Sequence, residues 1–164
     1  YGFVAIISDI ILQYTTLIRS YFNPYITTNY IKMTKKEFES FIAKRRITGY
    51  ILSIPMILLL FSIFISLIYL VPNFEVYKKG VNALIILVIF FVLISGHLPL
   101  MQVFGQIGQP LIQSYTFTAL FVINLLLNLI LIPIYSIEGA AFATGLSYLI
   151  YMFICHIQLK KTLK

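Results

Sequence analysis

Four stretches of this chain, residues 48–71, 81–104, 111–132 and 139–159, contain no Asp, Glu, Lys or Arg. Each is long enough to cross hydrocarbon as a helix, which takes about 20 mainly apolar residues. A fifth run, 2–18, is shorter and carries one charge, Asp9. A globular surface cannot be built around such runs, because charged residues make up 10% of the chain against about a quarter in a soluble domain. The sequence therefore predicts an all-α, polytopic membrane helix bundle with five transmembrane helices. One long linker, 19–47, and three short ones join them.

Charge sets the direction. The chain carries a net +7, but its basic residues are clustered, which reads as an orientation signal rather than a nucleic-acid surface. Arg19, Lys32, Lys35, Lys36, Lys44, Arg45 and Arg46 lie in the long linker against Glu37 and Glu39, which predicts that linker to be cytoplasmic. Alternation then places the C-terminal tail, with Lys160, Lys161 and Lys164, on the same side. Lys78 and Lys79 fall on the outer side and argue mildly against this orientation.

Within the linker, "MTKKEF" marks a helix start. Thr34 is the N-cap, Glu37 completes a capping box, and Met33 and Phe38 occupy the staple positions. Phe38, Phe41 and Ile42 share one face, which predicts a short amphipathic helix on the cytoplasmic leaflet, or a solvated connector, running into the second span. Arg19, Lys44, Arg45 and Arg46 are candidates for contact with anionic lipid or phosphate. Arg19 reads first as an interfacial anchor and only second as a phosphate contact.

Polar side chains in the spans should face protein or water, since lipid offers them no hydrogen bonds. Asp9 and Gln13 share a face of the first span, and Asp9 is either a functional carboxylate or a hydrated acid near the outer interface. Asn124 and Asn128 share a face of the fourth span and read as helix-to-helix glue or as the lining of a polar lumen. His97 precedes Pro99, where the third span should bend, and it either titrates or bonds a freed carbonyl. Pro55 should bend the second span. Cys155 lies in an apolar run and reads as a small buried hydrophobe. No paired carboxylates, metal-ligand spacing or phosphate-cradling glycine loop stands out, so neither an active site nor a cofactor is expected within these residues.

Pro133 is expected to close the fourth span and start a short outer turn, 133–138. "GAAFATGLS" follows with three overlapping small-xxx-small pairs, which let backbones approach closely. The fourth and fifth spans should form a tight antiparallel hairpin. The chain opens on Tyr1 directly before an apolar run, with no basic n-region or small-residue cleavage site, and reads as the C-terminal part of a longer protein.

The run "NLLLNLILIPIYSIEGAAFAT" resembles the C-terminal signature of bacterial polysaccharide flippases, in the multidrug/oligosaccharidyl-lipid/polysaccharide exporter superfamily. Asn124, Asn128, residues 131–133, residues 139–141, Ala143 and Thr144 carry the resemblance. "GQIGQP" is similar to the turn that precedes this helix in the family, and the basic helical linker also fits. Ser136 departs from it, standing where the family usually has Gly.

The resemblance implies spans eight to twelve of a twelve-helix, two-bundle transporter of the bacterial inner membrane. Its partners would be its own missing N-terminal helices, membrane lipid and a polyprenyl-diphosphate-linked oligosaccharide moved by alternating access. The lumen candidates are Asp9, Gln13, Asn124 and Asn128, with Asp9 as the carboxylate for a coupling proton or sodium ion. The drug/cation antiporters of the same superfamily are the alternative, although their connection between these helices is usually longer and Gly-rich. A membrane glycosyltransferase or polymerase would need a sizeable loop bearing carboxylates or arginines, and the outer loops here are under ten residues. A non-transporting scaffold subunit is the remaining class.

Overall fold

The computed structural model describes residues 2–163. Among them there are helices and turns and no strand. The long helices are α1 (Gly2–Lys32), α2 (Lys35–Leu70), α3 (Val81–Ile94) and α5 (Pro110–Thr162), with a single turn of helix, α4 (Val103–Gln106), before the last. The segments Pro72–Gly80 and Leu98–Leu100 are 3-10 turns. Three segments are long and apolar enough to cross a membrane: Lys35–Leu70, Pro72–Ile94 and Pro110–Thr162. Large apolar side chains such as Leu59, Leu70, Phe121 and Leu129 stay exposed on their surfaces. Such a surface is compatible with a membrane protein and costly in water.

The expected linker is not a loop. α1 and α2 continue through it as helices and meet at a bend of two residues, Met33 and Thr34. At 1.5 Å per residue α1 is about 46 Å long and α2 about 54 Å, both well beyond a hydrocarbon core of about 30 Å. Pro24 sits inside α1 with its ring exposed, so the Ser20 carbonyl it leaves unbonded lies near the surface. The capping box forms as its residues suggest: the Glu37 carboxylate accepts from the Thr34 N–H and hydroxyl, both at 2.8 Å.

The apolar stripe of this region faces protein and not a lipid surface. Phe38 and Ile42 are buried against Phe22 and Ile26 of α1 and against Phe104 and Ile107, with Met33 and Phe41 at the edge. α1 turns Ile18, Phe22 and Ile26 toward it at helical spacing, so the two extensions zip together. Full burial of one Phe contributes about 1.5–3 kcal/mol relative to water. A second cluster fills the other half of the bundle, where Ile7 and Ile11 of α1 meet Ile57, Leu84, Phe91 and Ala141. The half built on Phe22 and Phe38 is hereafter the basic end.

The third span does not run as one bent helix to Phe104. α3 stops at Ile94, and residues 95–102 make turns before α4. Two glycines allow this: a Cβ on Gly96 would meet the Tyr50 ring and lie 2.6 Å from the Arg46 carbonyl, and one on Gly49 would lie 2.9 Å from the Gly96 carbonyl. Backbone therefore touches backbone where the helix breaks. α4 then closes in a Schellman motif. Gly108 takes φ 76°, the Gln109 N–H reaches the Phe104 carbonyl at 2.8 Å, and Pro110 starts α5.

α5 is a hairpin. Its helical geometry breaks at Ser136, with φ 50° and ψ −120°, and the arms 110–135 and 137–162 fold back on each other. Phe117 stacks on Tyr151 with centroids 5.9 Å apart, and Asn124 bonds Ser147. The reversal thus comes three residues after Pro133, which lies within the first arm instead of closing it. Gly139 is pressed against the Leu131 backbone and Gly145 against the Phe90 ring, so the small residues serve both the hairpin and α3. At the same end, Lys78 pairs with Glu75 at 2.8 Å and lies over Tyr69. The Lys78 ammonium holds the Glu75 carboxyl below its ordinary value.

Candidate functional site

The residues singled out by sequence divide into three places. Asp9 and Gln13 lie on one face of α1, and both are exposed. The same stripe continues through Thr16 and Ser20 to Thr27, while Ile7, Ile11, Thr15, Ile18 and Phe22 are buried on the opposite face. Thr16 accepts from Arg19 at 2.8 Å and donates to the Leu12 carbonyl, and Ser20 donates to the Thr16 carbonyl. Arg19 is thus folded onto the stripe. Among the described residues the Asp9 and Gln13 side chains make no hydrogen bond or ion pair.

Asn124 and Asn128 lie elsewhere, in the hairpin. Asn128 Nδ2 donates to the Asn124 side-chain oxygen and backbone carbonyl, both at 2.9 Å. Asn124 Nδ2 donates to Ser147 Oγ at 3.1 Å, and Ser147 donates to the Thr144 carbonyl. The amides therefore pair with each other and with the facing arm. These are the bonds of helix-to-helix glue, each worth about 0.6–2 kcal/mol in a membrane.

The basic residues near the start of α2 do not act as one patch. Lys44 is exposed. Arg45 is held over three rings, with its guanidinium carbon 5.0 Å from the Phe41 centroid, 5.1 Å from Tyr25 and 5.5 Å from Phe22. Arg46, about 100° further round the helix, turns inward. Its Nη1 donates over 3.3 Å to His97 Nε2.

That bond belongs to a relay. The Tyr50 hydroxyl donates to the Leu93 carbonyl at 2.8 Å, so toward His97 Nδ1, 3.4 Å away, it can only accept. The network thus assigns the proton to Nδ1 and leaves Nε2 to accept from Arg46. The carbonyl freed where α3 ends is taken by Tyr50, not directly by His97 as the sequence suggested.

Arg46 and His97 open onto a cavity of about 140 Å³ at the basic end. Its wall comes from three elements: Glu39, Ile42 and Arg46 of α2, the broken segment around His97, and the end of α5 with Tyr151, His156 and Lys160. Cys155, half-buried, also reaches it. Tyr151 fixes the far wall by donating to the Met101 carbonyl at 3.0 Å, which also accepts from Gln113. Sequence reasoning had Arg46 and His97 separately but not this cavity, because their meeting depends on the Gly49–Gly96 contact. Among the described residues no three His, Cys, Asp or Glu side chains gather as a metal site would require.

No family model, curated protein or solved structure matches the chain.

Proposed function

We propose that this chain forms the C-terminal, five-span part of a two-bundle flippase that moves a polyprenyl-diphosphate-linked oligosaccharide across the bacterial inner membrane by alternating access. The observation that carries the reading is the open polar stripe of α1. Asp9, Gln13, Thr16 and Ser20 lie exposed along a helix whose other face is packed. In hydrocarbon such a stripe is expensive unless it borders water or another bundle. A sugar headgroup needs that kind of hydrated wall, while the polyprenyl tail stays in lipid.

In this reading Asp9 and Gln13 line the lumen, and Asp9 is the carboxylate that a proton or sodium gradient would act on. Asn124 and Asn128 hold the α5 hairpin that forms part of the bundle wall. The basic end lies in the cytoplasm. The resemblance of residues 124–144 to the flippase signature supports the polysaccharide branch over the drug/cation antiporters, because the α5 reversal occupies a single residue.

Transport by the full-length protein tests this. Asp9→Asn and Gln13→Leu should abolish or cripple translocation of lipid-linked sugar with the protein still folded and inserted. Asn124→Leu should lower the thermal unfolding midpoint first. Full transport by the double variant Asp9→Asn/Gln13→Leu would overturn the lumen assignment, and drug efflux without sugar translocation would favour the antiporter branch.

A further inference from the structure

The cavity at the basic end is separate from the α1 stripe and unexplained by it. Arg46 is half-buried there and bonds a neutral histidine, and its other N–H donors find no second side-chain or backbone acceptor among the described residues. Lys160, on another helix, lines the same space. The charged and titratable groups facing it are Arg46, Lys160, His97, His156 and Glu39, together with the Tyr151 and Cys155 side chains. Glu39 lines the same cavity but, among the described residues, makes no ion pair with either cation. Two cations thus share a partly enclosed cavity without a paired carboxylate. Arg46 is half-buried and Lys160 exposed, so neither is stripped of water, but like charges lining one cavity repel each other until an anion joins them.

The chemistry of the missing group follows from the donors. A guanidinium fork and an ammonium on two helices lining one cavity suit an oxyanion with several acceptor atoms, and phosphate best of all. The volume fits as well. A cavity of about 140 Å³ is large enough to admit a phosphate group with water around it. Ile94, Leu98, Leu100 and Met152 make part of the wall apolar, so a phosphate carried on a lipid is accommodated as readily as a free one.

We propose that this cavity is a phosphate-binding site. Arg46 and Lys160 are its ligands, and the Tyr50–His97 relay orients the Arg46 guanidinium. The site does not rest on the transport reading, since it requires only that the basic end be reached from the aqueous phase or the adjoining leaflet.

The test uses the full-length protein in a sugar-headed detergent free of phosphate, reading the thermal unfolding midpoint. Inorganic phosphate, or a short-chain phosphatidylglycerol, should raise the midpoint above sodium chloride of equal ionic strength. Response to inorganic phosphate identifies a free oxyanion as sufficient, whereas response to phosphatidylglycerol alone identifies the lipid headgroup as the source. In either case Arg46→Gln should weaken the apparent affinity about tenfold, as expected for loss of one charge-assisted contact. Lys160→Gln should weaken it several-fold, and Lys79→Gln, at the opposite end, should leave it unchanged. Lys160 is exposed, so its variant decides the matter if Arg46→Gln does not fold. The proposal is overturned if neither probe exceeds chloride, or if Lys160→Gln binds like the parent.

Discussion

Single residues decide where this chain turns. Ser136 takes φ 50° and ψ −120°, a conformation suited to glycine, and a non-glycine there stores roughly 1–3 kcal/mol. Ser136→Gly should therefore raise the unfolding midpoint, by the equivalent of about 1 kcal/mol once the greater freedom of unfolded glycine is subtracted. An unchanged or lower midpoint would mean that the turn is not strained. At the other end, the Thr34 N–H, and then its hydroxyl, hold the Glu37 carboxyl below its ordinary value. A depressed carboxylate adds stability above its unfolded pKa and loses it as pH falls through the folded one. Amide exchange at the start of α2 should thus accelerate, relative to the intrinsic rate, as pH drops below about 4.3. Glu37→Gln should remove that pH step. The capping box was legible in sequence because it depends on neighbours within a few residues, whereas the local pattern put the turn at Pro133 and Ser136 stood out only through the family resemblance.

Elements were legible where their pattern is local and obscured where a distant partner intervenes. The hairpin of α5 followed from its small residues. The helical course of 19–32 did not, because the segment read as the start of a basic linker, yet Ile18, Phe22 and Ile26 keep a helical face that α2 covers. The end of α3 at Ile94 depends on Gly96 lying against Gly49 and Tyr50, nearly fifty residues upstream in sequence, which no local pattern reports. Arg45 belongs to this scale, since it fastens α1 to α2 through the rings of Phe22, Tyr25 and Phe41. Arg45→Ala should cost about 1–2 kcal/mol through lost cation–π and stem packing. Lys44→Ala, one residue away and exposed, should change stability by less than about 0.5 kcal/mol. Equal losses in thermal denaturation would show that the stack is not what holds the extensions together.

At the scale of the molecule, long helices converge on a basic end, and exposed hydrocarbon belts α2 and α5. α1 differs in adding a polar stripe, Asp9, Gln13, Thr16 and Ser20, to its open surface, beside exposed apolar residues such as Ile6 and Leu17. Its amphipathic pattern was visible as Asp9 and Gln13 alone. The full stripe emerged only when the packed face was known, because isoleucines and hydroxyls alternate there without a strong period. The most direct test is aqueous accessibility along α1. Single cysteines at Asp9, Gln13, Thr16 and Ser20, in a full-length protein with Cys155→Ser, would be challenged in the membrane with a water-soluble maleimide. Cysteines at Leu125 and Leu129 serve as lipid-facing references. The account predicts rapid labelling at all four α1 positions and almost none at the references. Labelling at Gln13 and Thr16 as slow as at Leu129 would put the stripe against acyl chains or buried protein, and would contradict a water-lined path.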